Sequence, residues 1–266
     1  MTGVAKNTGT KVLVDLGEAC SAYQDRTLQD LTCRHVQADK IWSFCNSKAR
    51  NVPEQHRDDP EWGDVWTWVA IDQDTKPVPS WAIVDRSAGM AWHLFQDLRE
   101  RLTGRMQLTT DGHNAYMEAV EGTFHGDVAM RAPELFNLRR DPAEDEKRYS
   151  PAKCLGATVH RVSGLPDPKR IGTSHVERQN LTVRMGMRRF TRLINAFSRK
   201  LENLAAAVSL HFMYYNFVRP HTSSREPPTR GPPAMAVGVS DHVWKVEEIR
   251  ALLHGASCRT YICSVR

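Results

Sequence analysis

The sequence predicts an α/β fold: a mixed sheet flanked by helices, with a short helical segment at the N-terminus. Three observations predict it. Segment 35–45, HVQADKIWSFC, alternates with the period of a strand. Two more aromatic, β-branched stretches, DVWTWVAID and PVPSWAIVD, flank the turn signal DQDTK and so make an antiparallel hairpin. An amphipathic segment at 88–102 then separates this hairpin from the short strand in RMQLTTDGHNAY. A strand that follows a crossover helix adds in parallel.

The elements follow in order. Residues 1–32 read as helical, with Val12, Leu13, Leu16 and Ala19 at helical spacing and Gly17 interrupting them. They are either a simple amphipathic helix or the second half of a helix-turn-helix. In the first strand Val36, Ala38, Lys40, Trp42 and Phe44 share one side, and Gln37, Asp39, Ile41 and Ser43 the other. The prolines of PVPSWAIVD sit at its start, where a strand tolerates them. On the helix at 88–102, Trp92, Phe95, Leu98 and Leu102 mark the expected buried face.

Residues 121–172 read as irregular, with loop-like stretches such as RRDPAEDEKRYSPAKC. GTSHVERQNLTVRMG then reads as a helix. Phe190 to Phe217 reads as one long helix, its apolar residues stepping by three or four until Pro220 stops it. The domains expected are therefore a helical segment at 1–32, a central α/β domain at 33–221, and a Pro-rich linker with a short C-terminal helix at 222–266.

Composition narrows the class. The chain has 266 residues, 41% apolar and 25% charged, which suits a soluble globular domain. No apolar run reaches the ~18 residues of a membrane span, and no signal peptide is recognisable. The six cysteines form no C-x-x-C pair, so a zinc site is not expected, and reduced thiols in a cytoplasm are the simplest reading. A net charge of +5 permits a polyanionic partner.

Three carboxylates stand out. Asp39 lies mid-strand among aromatic and β-branched residues, where Asp is disfavoured and needs a partner. The plainer alternative is an exposed Asp on an edge strand. Asp111 ends the next sheet strand beside a glycine and can point into a ligand crevice, though Asp-Gly is also an ordinary turn. Glu177 lies in the first turn of its helix, where Ser174-x-x-Glu177 also matches a capping box. Asn180, Leu181, Arg184 and Arg188 follow it at spacings of three and four. Phosphoryl transfer by two metals needs hard oxygen ligands from separate elements that converge on ions roughly 3.5–4 Å apart.

The motifs VQADKIWSF, WTWVAIDQDTK, LTTDGHNAY, SHVERQNLTVRMGMRRFTR and HFMYYNFVRPH, in that order, resemble a DDE-type insertion-sequence transposase of the insertion-sequence-one type. The resemblance covers roughly residues 5 to 221. It implies a ribonuclease-H-like fold of the retroviral-integrase superfamily, two Mg²⁺ or Mn²⁺ ions, and transposon-end DNA as substrate. By motif position it assigns Asp39, Asp111 and Glu177 as metal-binding catalytic residues. Asp72 competes for the first position, but its place at the hairpin turn suits a structural role.

The chain departs from the pattern where relatives carry Asp-Glu before the Trp and it has Asp39-Lys40. Strand alternation predicts that Lys40 points away from the metals. The N-terminal DNA-binding region also looks shortened. An inactive or regulatory DNA-binding derivative, or another ribonuclease-H-like nuclease, is therefore the alternative function.

Arg178, Arg184, Arg188, Arg189 and Arg192 cluster in and after the Glu177 helix, as phosphate contacts would. The blander alternative is a solvated helix face. DNA as partner implies a homodimer or higher assembly on two DNA ends, no membrane, and a cytoplasmic, nucleoid-associated location.

Overall fold

The computed structural model describes residues 3–84, 88–111, 119, 127–135, 154–191, 196–221 and 231–255. The chain runs α1 (Lys6–Thr27), β1 (His35–Cys45), β2 (Gly63–Asp72), β3 (Ser80–Val84), α2 (Ala88–Arg101), β4 (Gln107–Asp111), β5 (Asp127–Leu135) and β6 (Cys154–Ser163). It continues with α3 (Ser174–Gly186), α4 (Leu201–Met213), the short α5 (Pro233–Ala236) and α6 (Val246–Gly255).

One six-stranded sheet has the order β3-β2-β1-β4-β5-β6. β1–β2, β2–β3 and β5–β6 are antiparallel; β1–β4 and β4–β5 are parallel. The hairpins and the parallel addition after α2 follow the expected pattern. β5 and β6 do not, because segment 121–172 reads as irregular. Neither strand closes a short local hairpin. β5 is specified by its parallel pairing with β4, and β6 by β5 across a gap in sequence.

Strand alternation separates two cores. Val36 and Ala38 of β1, with Trp68, Ala70 and Leu108, pack toward Cys20, Leu94, Phe95 and Leu98 of α1 and α2. Ile41, Val69 and Ile71 pack on the other face, against Val176 and Val183 of α3 and Leu204, Val208 and Phe212 of α4. Asp39 has the parity of Ile41 and so belongs to the α3 face.

α1 joins the first core rather than standing apart. Gly17 meets α4 so closely that an added Cβ would lie 2.4 Å from Ala206 Cα. Ser209 Oγ donates to Gly17 O at this crossing, 2.7 Å away. The interruption that Gly17 makes in the apolar pattern is thus a close-approach point.

Two expected faces differ. On α2 the buried residues are Ala91, Leu94, Phe95 and Leu98, while Trp92 is 41% exposed. The stripe at i, i+3, i+4 and i+7 starts one residue earlier than the tryptophan suggested. The long helix expected over 190–217 begins only at Leu201 and ends in a π-helical turn, Tyr214–Val218. Ser198 instead forms a bridge with Cys45 at the end of β1, and Asn46 N donates to Ser198 O at 2.9 Å. Glu61 then accepts from Leu201 N at 2.8 Å, which supplies a carboxylate to the new helix N-terminus.

Trp68 is fully buried, as expected of a core residue, whereas Trp42, Trp66 and Trp81 are half-buried. Cys20, Cys33 and Cys45 are free and buried. No helix among the described residues is long and apolar enough to cross a membrane.

Candidate functional site

β1 and β4 bring two of the singled-out carboxylates together. Their parallel register pairs Ala38 with Thr110, which sets Asp39 and Asp111 at the next level of adjacent strands. α3 lies over these central strands and is held by two side chains of β1. Gln37 Oε1 accepts from the backbone N–H groups of His175 and Val176, at 2.9 and 3.1 Å. Asn180 Nδ2 donates to Asp39 Oδ2 at 2.7 Å.

Gln37 therefore does the capping that the Ser174-x-x-Glu177 pattern suggested. The N-cap residue is Thr173, and its side chain caps no backbone N–H. Glu177 accepts instead from Thr173 Oγ1 at 2.6 Å. The local capping box does not form because a long-range acceptor has already satisfied the helix N–H groups. Sequence reasoning did not find Gln37. Its signal was its place two residues before Asp39, on the same strand face.

Lys40 departs from expectation in a more consequential way. Its stem follows strand parity to the opposite face, where its ammonium lies 5.7 Å from the ring centroid of Trp68. That ammonium nevertheless reaches Asp111 Oδ2 at 2.7 Å. Asp111 is the last residue of β4, and its side chain is about one-third exposed. Strand alternation directs the first bonds of a side chain; four methylenes carry the lysine head past that constraint.

The electrostatics of Asp39 record this crowding. Burial pushes its carboxyl up to about 6. The backbone N–H of Lys40 pulls it down, the Asp111 charge raises it, the Lys40 ammonium lowers it, and the Glu177 charge raises it again. The Asp39 carboxyl thus senses both other carboxylates.

Asp72 is committed elsewhere. Its Oδ2 accepts from Asp74 N, Thr75 N and Thr75 Oγ1 at 3.2, 2.6 and 2.6 Å, which holds the β2–β3 turn.

The donor chemistry fits a hard divalent cation between Asp39 and Asp111. Among the described residues, Asp111 Oδ1 and Asn180 Oδ1 are buried without a hydrogen-bond partner. The full three-carboxylate arrangement is not gathered. No group of three or more His, Cys, Asp or Glu side chains that could hold a metal ion forms among the described residues. Glu177 is exposed and turned to Thr173.

The arginines do not share one helix face. α3 ends at Gly186, so Arg188 and Arg189 lie in a 3₁₀ turn, Arg188–Phe190. They line a cleft of about 440 Å³ with Met187 and Phe197. Arg178 instead borders an apolar groove of about 920 Å³ between α1, α3, α4 and α6. Arg189 Nη1 donates to Ser198 Oγ at 2.5 Å and ties the turn to the strand-like stretch before α4. Arg184 is half-buried. Arg192 lies outside the described residues.

No protein-family model matches this chain, and no curated protein matches it. Among solved structures it is similar to a chain of the simian T-cell lymphotropic virus intasome in complex with PP2A regulatory subunit B56 gamma. The TM-score is 0.39 and the identity 12%, over 76% of this chain and 54% of that one. The chain thus spans about half the length of that structure's chain, and a likeness of this size carries no argument.

Proposed function

We propose that the chain is the catalytic domain of a DDE-type DNA transposase with a ribonuclease-H-like fold. The observation that carries the reading is the placement of Asp39 and Asp111 each one residue past the Ala38–Thr110 pair of parallel strands β1 and β4, with Asn180 of α3 bonded to Asp39. Carboxylates distant in sequence converge on the two central strands of the sheet, and Glu177 stands one helical turn before Asn180.

In this reading Asp39, Asp111 and Glu177 hold Mg²⁺ or Mn²⁺, two ions in the full site. A bound ion of this kind activates an attacking oxygen and stabilises a leaving one. The protein's own part is positional. Gln37 fixes α3 over β1, Asn180 orients Asp39, and Arg178, Arg184, Arg188, Arg189 and Arg192 offer phosphate contacts. Substrates are transposon-end and target DNA, worked on by a homodimer or larger assembly in the cytoplasm, at the nucleoid.

A second reading has its own observation. The Lys40–Asp111 ion pair suits a regulatory or inactive DNA-binding derivative.

Strand cleavage and strand transfer on a labelled duplex carrying the element's terminal repeat, in Mg²⁺, separates them. The transposase reading expects wild type to cut and Asp39→Asn, Asp111→Asn and Glu177→Gln each to bind without cutting. Loss of cutting in Asp72→Asn but not Asp39→Asn would move the first carboxylate. Binding without cleavage by wild type favours the derivative. Preference for an RNA–DNA hybrid points to another nuclease.

A further inference from the structure

We infer that the Lys40 ammonium is the resident cation of the Asp39–Asp111 pair, and that a divalent ion enters only by displacing it. The inference rests on the carboxylate assignment of the preceding section and adds a competitor for the metal within the chain.

Three observations carry it. Lys40 Nζ sits 2.7 Å from Asp111 Oδ2, with the lysine side chain 4% exposed and so largely withdrawn from water. A buried ammonium against a carboxylate supplies the charge that a metal would otherwise bring. Next, Asn180 is 3% exposed and bonded to Asp39 through Nδ2, yet its Oδ1 has no partner. A buried carbonyl oxygen beside the Asp39 carboxylate is a hard oxygen donor of the kind a divalent cation takes. Finally, the face of Trp68, opposite Lys40 in the β1–β2 register, lies beside the ammonium. A cation–π contact there gives the ammonium somewhere to remain when it leaves Asp111.

In the absence of metal Lys40 therefore offsets one of the two carboxylate charges, and the divalent-ion affinity of the site is set by the cost of moving one lysine. The lysine at position 40 acts through position, because its ammonium reaches across to the second carboxylate, Asp111.

The test is Mn²⁺ binding to the full chain at low ionic strength, followed by the electron paramagnetic resonance signal of free Mn²⁺. Lys40→Gln is expected to bind Mn²⁺ on the order of tenfold more tightly than wild type. Asp111→Asn added to Lys40→Gln is expected to remove that gain. Lys40→Arg, which keeps the charge, is expected to stay near wild type. Lys40→Met keeps the apolar stem on Trp68 and replaces Lys40→Gln if circular dichroism shows the latter unfolded. Equal Mn²⁺ affinity in wild type and Lys40→Gln, both abolished by Asp111→Asn, overturns the competitor and leaves the carboxylate assignment standing. Absence of Mn²⁺ binding in all folded variants overturns both.

Discussion

Asn180 Nδ2 donates to Asp39 Oδ2 at 2.7 Å, and so joins α3 to β1 through residues 141 positions apart. The bond positions both partners, since the carboxylate gains a donor and the helix gains an anchor. Asn180→Ala is expected to lower stability by about 1.5–3 kcal/mol, the usual worth of a hydrogen bond to a charged group. Urea unfolding measures it. A midpoint unchanged from wild type would mean that Gln37 alone seats α3.

At the crossing of α1 and α4 there is no room for a methyl group at Gly17. Gly17→Ala is expected to destabilise by roughly 1–3 kcal/mol, despite the better helix propensity of alanine. Gly9→Ala, where an added Cβ meets nothing within 4 Å, is the control and should be neutral or slightly stabilising. A Gly17→Ala protein as stable as wild type would show that the two helices separate easily.

Asn216 is fully buried and treats Val78 as a strand would. It accepts from Val78 N and donates to Val78 O, both at 3.0 Å. Asn216→Leu leaves both backbone groups unsatisfied, and each costs about 1–3 kcal/mol. Thermal unfolding by circular dichroism should show a clear drop. Asn216→Asp keeps the acceptor only and should fall between.

Burial holds His211 and His221 each down to about 4, with Arg219 lowering both and Lys76 lowering His221 further. Their folded pKa values lie below the unfolded value of about 6.5. Between those limits the unfolded chain binds more protons, so stability is complete above pH 6.5 and falls as the pH drops toward 4. Asp39, raised to about 6, acts with the opposite sign. Urea midpoints at pH 7.5 and 5.0 should differ less in His211→Gln than in wild type. An equal difference in the two proteins would assign the slope to other groups.

The proposed DNA contacts divide by exposure. Arg178 and Arg188 are exposed, and Arg189 is tied to Ser198. Arg178→Ala and Arg188→Ala should each weaken binding to any duplex and reduce the salt-dependence slope by about 1. Arg189→Ala should chiefly lower the thermal midpoint. Unchanged salt slopes for both exposed arginines would remove them from the DNA surface.

The antiparallel pairing of β2 with β3, the parallel addition of β4, the positions of α1, α2 and α3, and the candidacy of Asp39 and Asp111 were legible in the sequence, while the place of β4 beside β1 was not. Each rests on a local signal: alternation along HVQADKIWSFC, a turn at DQDTK, helical spacing, or a carboxylate where strands disfavour one. What tertiary structure decided is equally specific. β5 and β6 exist because an edge of β4 was open to pair. Segment 196–200 left its helical pattern because Cys45 and Asn46 offered it backbone partners. Gln37 displaced a local capping box, and the Lys40 head, beside Trp68, met Asp111 of the neighbouring strand. Periodicity determines which way a chain element faces. It does not determine which distant group its long polar side chains will meet, because that partner is set by the register of other strands.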